Sequence, residues 1–133
     1  DAKLSVPFVD LAVSPEAGSS LLLPARIGHT RAYAMFALGQ VVDGATAAAW
    51  GLVTEAVEPG TASTHARAAC EALAAKPASS LRVTKRLMRD GAQVQARIDE
   101  ESGHFQALLL GQSAREAFAA FLERRPVDTS KFD

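Results

Sequence analysis

The sequence predicts a mostly α-helical chain with only short strands, and three observations carry that expectation. Alanine is abundant while strand-like apolar stretches are brief, which favours helices packed closely through small side chains. Glycines stand where helices would stop and small polar residues where helices would start. The 133 residues are 48% hydrophobic and 22% charged, which suits one ordinary globular domain or half of a larger one.

In chain order, Leu4, Val6, Phe8 and Val9, then Leu11 and Val13, suit a short buried strand bending into a loop, with Pro7 and Pro15 arguing against a regular strand throughout. Ser19-Ser20-Leu21-Leu22-Leu23 can start a helix, capped by the small polar residues, until Pro24 and Gly28 interrupt it. A helix from Arg31 to Leu38 stops at Gly39. Asp43 is the expected N-cap of a short Ala-rich helix that Gly51 ends, and Leu52 to Val57 reads as a brief strand. Four helices follow: Thr64 to Lys76, ending before Pro77; Ser79 or Ser80 to Asp90; a longer one with Val94, Ile98, Phe105 and Leu108 or Leu109 on one face; and a last one opened by Ser113-Ala114-Arg115-Glu116, which matches a capping box. The tail after Pro126 reads as a loose terminus. The strands lack partners of their own.

Composition excludes several functions. With Lys+Arg 14 against Asp+Glu 15, the net charge of -1 offers no positive field for a nucleic acid backbone. No apolar run approaches the roughly 20 residues that span a bilayer, so a soluble, cytoplasmic chain is expected. His29, His65 and His104 are far apart without i, i+4 pairing, and no metal site is expected. The single Cys70 sits in an Ala-rich stretch, where a buried inert thiol is the expectation. The sequence shows no nucleophile elbow, P-loop or dinucleotide fingerprint. Glu16 is the carboxylate of interest: apolar surroundings would raise its pKa, while a helix start just beyond it would lower it. Such a group suits proton transfer, and equally suits decoration of a first helical turn.

The string Pro7-Phe8-Val9-Asp10-Leu11-Ala12-Val13-Ser14-Pro15-Glu16-Ala17-Gly18-Ser19-Ser20, running on to Leu23-Pro24-Ala25-Arg26-Ile27-Gly28, resembles the crotonase, or enoyl-CoA hydratase/isomerase, superfamily. Later pieces agree in order: Arg31-Ala32 with Leu38-Gly39; Ala47 with Trp50-Gly51-Leu52-Val53; Thr84-Lys85; Glu101 with Phe105; and Ser113 and Glu116 leading to Ala120-Phe121-Leu122-Glu123-Arg124-Arg125. The resemblance implies an α/β parent built as a spiral of ββα units, with this chain as its mostly helical second half, entered partway through the spiral at Asp1 to Leu4. Residues 1–60 would end the spiral core and carry the active-site segment, and residues 61–133 would form the helical oligomerisation region.

The same resemblance implies an acyl-CoA thioester substrate, no cofactor beyond the coenzyme A that the substrate carries, and a homotrimer or hexamer, with the N-terminal half as a further partner and neither nucleic acid nor membrane. The two oxyanion-hole donors would lie outside this chain. Hydratases of the family carry a Glu directly after the Pro of the strand-end motif, and Phe8 stands there; Δ3,Δ2-enoyl-CoA isomerases carry a single Glu further on, where Glu16 falls. Glu16 is therefore the expected general base. Phe8 is expected to wall the acyl pocket or to belong to the core, and Arg124, with Arg125, to approach the CoA phosphates or merely to complement the helix end. An isomerase is the leading expectation. The alternatives are a hydratase-like lyase and an inactive C-terminal fragment or oligomerisation module.

Overall fold

The structure is a computed structural model and describes residues 2–132, so Asp1, at the start of the expected spiral segment, lies outside it. It is mostly helical. A two-residue strand β1 (Lys3–Leu4) leads through a 3-10 turn at Val9–Leu11 into α1 (Ser19–Ile27) and α2 (His29–Ala37). Strand β2 (Val42–Asp43) and α3 (Gly44–Ala49) follow, then α4 (Ala62–Ala74), α5 (Ala78–Leu87), α6 (Gly91–Leu109), α7 (Gln112–Glu123) and a closing 3-10 turn at Thr129–Lys131. The strands pair antiparallel, with Lys3 opposite Asp43 and Leu4 opposite Val42. Asp43 caps α3 as expected, its carboxylate accepting from the Thr46 N–H at 2.7 Å.

The main core gathers Ile27, Ala32, Met35, Phe36, Val42 and Ala47. A second packed face belongs to α7, where Ala114, Ala117 and Ala120 recur at three-residue spacing and are at most 1% exposed. With only methyl groups in that stripe, α7 packs closely against the Val9–Leu11 turn and against α6.

Several local expectations fail for identifiable reasons. The stretch Leu52 to Val57 forms no strand, because the Leu52 N–H donates to the Ala47 carbonyl at 2.9 Å and the Gly51 N–H to Ala48 at 3.0 Å. Those are the paired bonds of a Schellman stop, with Gly51 at φ +75°, and they consume a donor that a sheet would need. The β2 strand lies upstream instead. Pro24 does not interrupt α1: the helix runs through it to Ile27, and only Gly28, at φ +85°, ends it. Cys70 is exposed, since every residue of α4 lies at the surface or on the groove described below.

The capping box fails too, because α7 starts earlier than expected, at Gln112 after Gly111, and Glu116 works elsewhere. Its side chain is 5% exposed and accepts from the Arg125 guanidinium, from Lys131 Nζ at 2.8 Å and from the Asp128 N–H at 3.1 Å. The tail is thus folded back and held. These three donors, Arg125 first, push the Glu116 pKa well below the ordinary 4.5. A depressed carboxylate pKa stabilises the fold above the unfolded value and loses that contribution on acidification. Replacing Glu116 with Gln should therefore lower the denaturation midpoint at neutral pH, and the difference from the native protein should shrink as the pH falls below about 4.5.

Candidate active-site turn

The segment ahead of α1 is a tight reversal. The Glu16 carbonyl accepts from the Ser19 N–H at 3.0 Å, and the two residues between them, Ala17 and Gly18, stand at φ +60° and +76°. Positive φ at both central positions is the type I′ pattern, which glycine adopts freely and alanine only under strain. Gly18 is then the N-cap of α1 and has no side chain with which to cap it.

The cap comes from far along the chain. Glu101, on α6 and 5% exposed, accepts the Gly18 N–H on Oε2 at 2.6 Å and the Ser20 N–H on Oε1 at 2.8 Å. Its negative charge also complements the positive end of α1. Ser19 and Ser20, the expected caps, do not supply this function; the Ser19 hydroxyl is buried without a hydrogen-bond partner among the described residues. Sequence reasoning placed Glu101 only among the later matching pieces and missed this role. A signal for it was present, since Val94, Ile98, Glu101 and Phe105 share one helical stripe, and an acid on an apolar stripe needs a buried partner.

Glu16 sits at the loop-to-helix junction, as expected, but it is exposed rather than enclosed. Among the described residues its carboxylate has no hydrogen-bond or ion-pair partner. Next to the turn opens a groove of about 890 Å³ between α1 and the α4–α5 pair. Ala17 lies at its wall, with Leu22, Leu23, Leu73, Leu81 and Met88 apolar around it and Arg26, Lys85 and Arg89 along it. An apolar trough edged with cations is suited to a chain that is greasy at one end and anionic at the other.

The remaining expected residues stand apart. Phe8 is half-buried, its ring 6.0 Å from that of Phe36 at a tilted angle, packed on the main core. Arg124 is exposed at the end of α7 with φ +54°. Arg125 is not free to fork onto a phosphate with it, because Glu116 and Glu123 hold its guanidinium, the latter at 2.6 Å. Both partners raise the Arg125 pKa, Glu116 first. His65 faces Glu55 at 3.3 Å and His29 stacks on Tyr33. No helix among the described residues is long and apolar enough to cross a membrane.

Comparison with known proteins shows the family and the fold. The family described as enoyl-CoA hydratase/isomerase matches residues 1–131. Enoyl-CoA delta isomerase 2 of Rattus norvegicus is 32% identical over 127 residues, covering 94% of this chain and 32% of its own length. The structure of OdaA from Pseudomonas aeruginosa superposes with a TM-score of 0.89 at 39% identity, over 93% of this chain and 51% of that one. An enoyl-CoA hydratase/isomerase from Pseudoalteromonas atlantica T6c gives 0.90 at 32% identity, over 96% and 52%. The chain spans about half the length of those two structures and a third of the rat protein.

The strain at Ala17 is testable. Replacing Ala17 with Gly relieves a left-handed alanine, a conformation costing roughly 1 kcal/mol, and should raise stability by about 0.5–1 kcal/mol in urea denaturation, where an ordinary exposed Ala→Gly change lowers it.

Proposed function

Because the chain belongs to the enoyl-CoA hydratase/isomerase family, we propose that it is the catalytic-turn and helical portion of an enoyl-CoA isomerase whose general base is Glu16. The observation that carries this reading is a carboxylate, without a partner among the described residues, on a hydrogen-bonded turn whose next residue, Ala17, lines an apolar, cation-edged groove. Phe8 adds support: at the position where hydratases of the family carry an acid, this chain has a ring packed into its core.

Double-bond migration in a 3-enoyl thioester needs one base. Glu16 takes a proton from C2, the electron pair of that C–H bond enters a dienolate conjugated with the thioester, and the same carboxyl returns the proton at C4. The double bond then lies between C2 and C3, and no water is consumed. The dienolate oxygen needs hydrogen-bond donors, each worth roughly 3 kcal/mol, which we assign to the family's N-terminal half. Arg124, exposed and free of the ion pairs that hold Arg125, is assigned to the CoA phosphates. The uncovered apolar side chains of α5, with Leu87 80% exposed, are assigned to contacts between copies in a homotrimer or hexamer, and a scattering mass of a single chain would argue against that.

In the protein as its gene encodes it, Glu16→Gln should lower isomerase turnover by about 10²–10⁴-fold without unfolding it. The native protein should shift the double bond of a 3-enoyl-CoA faster than it adds water to a 2-enoyl-CoA; the reverse order would favour the hydratase alternative. Arg124→Ala should raise KM at low ionic strength and leave kcat unchanged.

A further inference from the structure

We infer that Glu101 is a positioning residue for the reaction, fixing where Glu16 presents its carboxylate; the inference rests on Glu16 being the base. Three successive N–H groups define the reversal that follows Glu16. The middle one, on Ser19, closes the turn onto the Glu16 carbonyl itself at 3.0 Å. The outer two, on Gly18 and Ser20, both end on the Glu101 carboxylate at 2.6 and 2.8 Å. Glu101 thereby clamps the turn from both sides of the bond that aims Glu16.

The clamp also holds strain in place. Ala17 stays at φ +60°, and Gly18 at φ +76° has Val94 and Ile98 of α6 within 3.4 and 3.5 Å of where a Cβ would sit. The same helix thus supplies the carboxylate and the apolar wall against which the turn rests. Without the carboxylate, two N–H groups at the start of α1 lose a charged acceptor, and the strained turn has a route to relax. Proton transfer is sensitive to displacements of about 1 Å, so such relaxation reaches the chemistry while most of the groove, formed by Leu22, Leu23, Leu73, Leu81 and Met88, keeps its shape.

The test compares Glu101→Gln, which keeps shape but offers one acceptor and one donor where two acceptors are needed, with Glu101→Asp, which keeps charge but is one methylene shorter. Both are measured in the protein as its gene encodes it, with kcat referred to folded sites counted by titration with a saturated acyl-CoA. Both should lose about 10- to 100-fold in kcat while KM and the affinity for the saturated acyl-CoA stay within about twofold. Adding Glu101→Gln to Glu16→Gln should cause no further loss, because Glu101 acts only through Glu16. If Glu101→Gln fails to fold, Glu101→Asp carries the measurement. Folded variants with native kcat, or losses that multiply in the double variant, overturn the positioning role while Glu16 remains the base. Native turnover in Glu16→Gln instead removes the base assignment, and the positioning role with it.

Discussion

The structure depends on one carboxylate reaching across 83 positions of sequence. A helix begins with N–H groups that have no partner of their own, and most helices satisfy them with a local Ser, Thr, Asp or Asn. The first helix of this chain begins at a glycine, so the partner must come from elsewhere, and Glu101 brings α6 with it. Once α6 is docked, Val94 becomes buried and Gly18 gains its apolar neighbours. The early turn and α6 are consequently packed together, and α7 joins them through α6.

Much of the fold is legible in the sequence where the controlling interaction is local. Asp43 caps the residue three ahead of it, Gly28 ends α1, and the Val94, Ile98, Phe105 stripe marks α6, all within a few residues of the evidence for them. Expectations fail where a distant or competing partner decides. Leu52 looks like strand until the Schellman stop takes its N–H. Glu116 looks like half of a capping box until the tail, with Arg125 and Lys131, supplies stronger partners. Pro24 looks like a break, yet the helix continues through it and stops only at Gly28.

The candidate site divides along the same line. Glu16 is placed correctly at the helix start, and the resemblance assigns its role, but its exposure in this chain is not a property that nearby residues determine. The groove beside it arises from α4 and α5, which bury no side chain of their own. Helices with that character have weak internal reasons for their position and strong reasons to be covered.

The left-handed backbone of Gly18 also limits how this region can change over generations. A side-chain cap requires its residue in the extended region, so no serine or aspartate placed at position 18 could take over the work of Glu101 while φ stays at +76°. Position 101 therefore has no single-step substitute near the turn. A lineage that loses the carboxylate recovers an acceptor for the Gly18 and Ser20 N–H groups only by reshaping the turn itself, a coupled change that tends to hold positions 18 and 101 still together.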